Sequence, residues 1–233
     1  MDIGKAFTYP FEDKKWVEKL LIGGLLNIIP VVNFIPAGYA VRMLRKKAQG
    51  GGNDLPEWDD WGGDWVKGAL AYFVAPLIYS LPILLLAIPF GIIMAATRNN
   101  EGGICSVLFS CAASLWGLVI AVVYPAGLIK YATEGDFGAF FKFSEIFQFI
   151  RDNLSNYVVA LLMILVASIV ASIVGGILCG IGVFWTTFWA YLVGAHLLGQ
   201  VAAEATPGAG VTTVTSYGEL NPPDVPSEEE PSS

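Results

Sequence analysis

The sequence predicts an all-α integral membrane protein: four transmembrane helices, an N-terminal re-entrant or broken helix, and two amphipathic helices at the membrane surface. Three observations predict it. Charged residues make up 14% of the chain and apolar ones 55%, where a soluble domain carries about a quarter and about a half. The charge is also segregated. No Asp, Glu, Lys or Arg occurs between Leu70 and Thr97, between Ile104 and Ile129, or between Tyr157 and Gln200. Such stretches reach the roughly twenty residues that cross about 30 Å of hydrocarbon. Lipid offers no partner for backbone N–H and C=O groups, so the crossings must be helical.

Taken in order, Met1 to Lys19 mixes four lysines with Asp2, Glu12, Asp13 and Glu18 and shows no cleavage-site pattern, so no signal peptide is expected. The first apolar segment, 20–43, carries Asn27, Pro30, Asn33 and Pro36. Proline removes a donor and clashes with the preceding turn, which predicts two short helices around Pro30–Asn33. Asn27, Pro30 and Asn33 are candidates for a polar pathway, because broken helices at membrane depth line solute sites. The alternative makes the asparagines caps of the broken ends.

Residues 55–67 place Trp58, Trp61 and Trp65 at i, i+3 and i+7, one face of a helix, with Asp59, Asp60 and Asp64 elsewhere. Indole favours the membrane–water boundary, so the three tryptophans are candidate interface anchors. A carboxylate cluster that binds a cation or a partner is the competing reading. The apolar segments 69–96 and 104–131 follow, bent by Pro76, Pro82, Pro89 and Pro125. Residues 137–153 form the second surface segment, with Phe140, Phe143, Phe147 and Ile150 expected on one helical face. The last apolar stretch, 157–200, would be roughly 65 Å long as one helix, so it folds back at Gly175–Gly182 into spans 157–175 and 182–200. Ser168, Ser172 and Gly176 recur every four residues, a spacing that packs helices closely in lipid. His196, the single histidine, has no charged partner in its span and reads as a neutral hydrogen-bonded group between helices.

Basic residues mark cytoplasmic segments. If 20–43 re-enters, every Lys and Arg except Arg98 lies on the cytoplasmic side. If it spans, Lys5, Lys14, Lys15 and Lys19 lie outside, and the chain has five full spans. The N-terminus, basic loops and C-terminal tail are therefore expected in the cytoplasm of a multi-pass cell-membrane protein. Residues 1–200 read as one membrane domain. Residues 201–233 hold six acids and no base and read as a disordered tail. Pro36-Ala37-Gly38 recurs as Pro125-Ala126-Gly127, each followed by an aromatic surface segment and a new apolar segment. This is a weak parallel repeat. Cys105, Cys111 and Cys179 lack metal-ligand spacing; a Cys105–Cys179 disulfide is the sharper alternative to three buried thiols.

Pro10-Phe11-Glu12-Asp13, Ile22-Gly23-Gly24, Pro36-Ala37-Gly38-Tyr39 and Leu55-Pro56-Glu57-Trp58-Asp59-Asp60-Trp61 together resemble domain-of-unknown-function family 4013. The resemblance covers about residues 9–198 and implies a prokaryotic multi-span membrane protein with no assigned activity. No nucleophile–base pair, phosphate loop or metal motif occurs, so neither catalysis nor a cofactor or metal is expected. The expected function is a membrane scaffold or partner-recruiting protein, with a small-solute transporter as the alternative. Its partners would be the lipid bilayer, and a second copy or a cytosolic protein at the surface helices. The small basic content excludes nucleic acid.

Overall fold

The structure, a computed structural model, describes residues 1–96, 102–178 and 180–205. The described residues are helical, without a strand: α1 (Ile3–Thr8), α2 (Trp16–Ile28), α3 (Phe34–Ala48), α4 (Trp61–Ala69), α5 (Ala75–Ala96), α6 (Gly102–Glu134), α7 (Phe143–Asp152), α8 (Leu154–Ile177) and α9 (Val183–Ala205). Three stretches are long and apolar enough to cross a membrane: Trp61–Ile92, Cys105–Glu134 and Leu154–Ile177. Their outward faces carry exposed Leu, Ile and Val throughout, the reverse of a soluble bundle and the expected surface of a membrane protein.

The broken first segment folds as expected into two helices, α2 and α3, around a turn where Val31 takes φ 73°. Contacts with α9 give their directions. Gly24 lies against Trp185, Gly23 against Phe188, and the Asn27 amide donates to the Phe184 carbonyl at 3.0 Å. Tyr39 meets Phe188, and Gly199 meets Leu44 and Lys47. Thus α2 runs antiparallel to α9 and α3 runs parallel to it, and the pair is a hairpin. Helix α9, the other half of the α8–α9 hairpin, is the buried centre: Leu192, Val193, Leu197 and Val201 are fully enclosed.

The surface helix expected over 55–67 is different in kind. Residues 55–60 are not helical, and α4 begins at Trp61, where the Asp60 carboxylate caps the Gly63 N–H at 3.0 Å. Helix α4 then continues into α5 through a π-turn over Leu70–Val74. Pro76 explains the widened turn: its ring collides with the carbonyl four residues back in a regular helix, and a π-turn relieves the clash. Pro82, Pro89 and Pro125 sit inside α5 and α6. These two helices pair antiparallel through Trp116 Nε1 on the Tyr79 carbonyl (2.9 Å) and the Tyr124 hydroxyl on the Ala71 carbonyl (3.0 Å).

Among the described residues the helices thus pair as three hairpins, α2–α3, α5–α6 and α8–α9, with α4 and α7 between them. Gly38 of the first Pro-Ala-Gly triplet faces the Asp64 backbone of α4, and Gly127 of the second faces the side chains of Phe140, Tyr79 and Ile146. Helices α3 and α4 meet backbone to backbone. A Cβ on Gly38 would overlap the Asp64 carbonyl, and one on Gly68 would overlap the Phe34 carbonyl. Gly91, by contrast, faces open space. Gly38→Ala and Gly68→Ala are each expected to lower stability by about 3 kcal/mol, the upper range for overpacking. Gly91→Ala is expected to be neutral or slightly stabilising. Thermal unfolding in detergent distinguishes the three variants.

Candidate functional site

The Leu55–Trp61 string is the most specific element of the sequence, and the structure wraps it around the start of the first hairpin. Tyr39 donates its hydroxyl to the Pro56 carbonyl and stacks on Trp58 at 4.2 Å; Trp58 also packs on Phe188. Arg42, one turn further along α3, pairs with Asp59, donates to the Glu57 carbonyl and reaches Asp64 at 2.8 Å. Lys67 closes the far side on Asp60 at 2.9 Å, with the second Asp64 oxygen 3.9 Å away. Asp59, Asp60 and Asp64 are therefore each paired with a cation of this chain. The bonds to Arg42 and Lys67 hold the Asp59 and Asp60 carboxyls below their ordinary range.

A second ion pair, which the sequence did not signal, joins the N-terminal segment to the same string. Lys19 is buried at 3% exposure, with its ammonium 3.0 Å from Asp13, 3.0 Å from Glu57 and 2.8 Å from the Leu55 carbonyl. Burial pushes the Asp13 carboxyl up. The Lys15 and Leu55 N–H groups and the Lys19 ammonium outweigh it and hold the carboxyl below its ordinary value.

His196 belongs to a third polar chain, and its hydrogen bonds define its state. The Asp2 N–H donates to Gln200 Oε1 at 2.6 Å, so the Gln200 amide nitrogen must be the atom 2.8 Å from His196 Nδ1. That nitrogen donates, Nδ1 accepts, and the proton sits on Nε2, facing Asn53 Oδ1 at 3.2 Å. Lys47 donates to the same Asn53 oxygen at 2.9 Å. The imidazole stacks on Tyr9 at 4.3 Å, and the Met1 ammonium meets Glu204 at 2.7 Å. This is the neutral histidine the sequence suggested, in a chain closed at both ends.

The remaining candidates fall as follows. Asn27 is engaged on the Phe184 carbonyl, and Asn33 precedes α3 without a side-chain cap bond. The Trp65 indole N–H reaches Val31, in the turn that holds Pro30. The three tryptophans do not share one helical face, because Trp58 lies ahead of the helix and packs inward; Trp61 and Trp65 are exposed at 45% and 39%. In the second surface segment Phe140 is also buried, within a 3₁₀ turn over Phe137–Phe141, and it receives the Tyr79 hydroxyl on its carbonyl. Helix α7 turns Ile146 and Ile150 inward and leaves Phe143 and Phe147 exposed.

On α8 the small residues fall in two neighbouring columns, one buried within the fold and one on its outer face. Ala160, Ala167, Ala171 and Gly175 are buried. Ser168, Ser172 and Gly176 face outward, and each serine hydroxyl is returned to a carbonyl four residues back. Cys105 and Cys111 are exposed free thiols, whereas Cys179 and residues 206–233 of the acidic tail lie outside the described residues.

The model of a family described as protein of unknown function (DUF4013) matches residues 22–180. This is the family that the Leu55–Trp61 string resembles, over a narrower stretch than expected. No curated protein and no solved structure matches the chain.

Removing one member of a buried ion pair strands the other. Lys19→Met is expected to cost about 3 kcal/mol, and Lys19→Met with Asp13→Leu to recover part of it, as read by unfolding in detergent. The depressed Asp13 pKa contributes stability that is present above its ordinary value of about 3.9. That contribution is lost as pH falls through the lower folded value. Asp13→Asn should therefore lose less stability than wild type on acidification below about pH 4.

Proposed function

We propose, for a chain that belongs to the DUF4013 family of proteins of unknown function, that it is a non-enzymatic membrane scaffold working through its surfaces. The observation that supports this reading is the mutual pairing of its buried and half-buried charged side chains. Arg42, Lys67 and Lys19 are committed to Asp59, Asp60, Asp64, Asp13 and Glu57, and His196 to Gln200 and Asn53. A catalytic or transport site keeps polar groups poised for something that arrives from outside; these hold one another. Aromatic side chains lie on the surface as well: Phe11, Trp16, Trp61, Trp65, Phe143 and Phe147 are exposed. Such residues at the membrane boundary hold surface segments in place and present them to a partner.

In the membrane, this reading makes the α2–α3 hairpin re-entrant, with the N-terminus and the C-terminal end of α9 on the cytoplasmic side. Two features support it. Met1 pairs with Glu204, which keeps the first residues beside the end of α9. Gly135, after α6, lies beside Arg45 near the end of α3. Both returning ends thus meet where basic residues cluster.

A membrane-impermeant thiol reagent should label single cysteines at Thr8 and Asn99, in a Cys-free background, from opposite faces. Labelling from one face requires five full spans instead. Sealed vesicles bearing the full chain should stay as tight as protein-free ones across a broad solute panel. A leak that Asn33→Leu abolishes would replace the scaffold by the transporter.

A further inference from the structure

We infer that α2 carries a binding site for one anionic phospholipid, with its headgroup on Lys14 and Lys15 and its acyl chains along the two sides of the Val17–Leu21 ridge. The site is built from two grooves that share this ridge. One, of about 560 Å³, runs along α2 from Lys14 and Lys15 past Glu18 to Ile22 and Leu25. Its cationic end continues into an apolar length, which is the pattern of a headgroup followed by a chain. The other, of about 400 Å³, lies between α2 and the α8–α9 hairpin. Phe11, Trp16, Val174, Trp185 and Trp189 are among its walls, and none of its exposed lining is polar. Both volumes fall in the range of small-molecule sites.

Charge complementarity selects the occupant. The neighbouring acids are already paired, Glu12 with Lys5 at 3.3 Å and Asp13 with Lys19 at 3.0 Å. Glu18, one turn along α2, is the remaining local carboxylate, and no ion pair joins it to Lys14 or Lys15 among the described residues. Two ammonium groups over an apolar groove attract a lipid phosphate, and anionic lipids are concentrated in the cytoplasmic leaflet. Phe11 and Trp16 pack edge to face at 5.2 Å beside them, an aromatic pair suited to the headgroup boundary. The site rests on the cytoplasmic placement of the N-terminus proposed above; it does not require that the protein be a scaffold.

The test is fluorescence quenching of the full chain in phosphatidylcholine vesicles doped with brominated-chain phosphatidylglycerol or brominated-chain phosphatidylcholine. Of the seven tryptophans, Trp16, Trp185 and Trp189 line the second groove, and the part of the quenching lost on replacing these three by Phe reports its occupancy. The anionic lipid is expected to quench at a lower mole fraction, by about fivefold for each lysine engaged. Lys14→Gln with Lys15→Gln should make the two lipids equivalent; both side chains are on the surface, so the fold survives. Leu21→Ser should weaken quenching by both lipids. Equal quenching of wild type by the two lipids would overturn the inference. So would loss of the preference on adding inorganic phosphate, which would reduce the site to a phosphate contact without chains. Cross-linking of a Val17→Cys variant to a second copy, with no lipid preference, would assign the grooves to self-association.

Discussion

The contact on which the rest of the arrangement depends is the meeting of α3 and α4 backbone to backbone at Gly38 and Gly68. Residues four apart share a helix face, so Gly38 and Arg42 on α3 look toward Asp64 and Gly68 on α4. The two glycines remove the side chains that would hold the helices apart. Only at that separation does the short Asp64 side chain lie within 2.8 Å of Arg42. Because α4 leads into α5, the same contact aims the first long apolar helix. It also requires residues 49–60 to double back, which brings Trp58 onto Tyr39 and Glu57 onto Lys19.

The buried charges follow from that geometry. An ion pair taken out of water gains little net stability against an apolar substitute, but it is costly to break. Lys19 with Asp13, and Arg42 with Asp64, therefore act as registration: each tolerates one placement of the N-terminal segment and of the Leu55–Trp61 string. The His196 chain does the same at the other end of α9, where Gln200 can satisfy both Asp2 and the imidazole only in the amide orientation observed.

Much of this was legible in the residues. Charge-free stretches identify long apolar helices because lipid admits little else, and Asn27, Pro30 and Asn33 mark the break between α2 and α3 because proline cannot continue a helical ladder. Other features depended on information that spacing does not carry. Trp58, Trp61 and Trp65 fit a helical face, but Asp60 is a good N-cap, and the helix starts after it. Phe140 and Phe147 match on a wheel drawn through Lys142, yet the chain changes there from a 3₁₀ turn to α7, which resets the phase. On α8 the alanine and serine columns are adjacent, and only the position of α9 chooses between them. Lys19 sits among charges in the sequence and reads as solvated; its burial depends on Leu55 and Glu57, far along the chain.

The π-turn at Leu70–Val74 has a consequence for how this helix compares with its relatives. A π-turn accommodates one residue more than the regular ladder around it, and one residue is about 100° of helical rotation. The stripe that α4 presents to α3 and the stripe that α5 presents to α6 are therefore out of phase on any single wheel. In a relative lacking that residue, the outer half would be rotated by the same angle. Its partner-facing positions would then be filled by what are lipid-facing residues here, and a gap of one in an alignment at this point would record a change of interface.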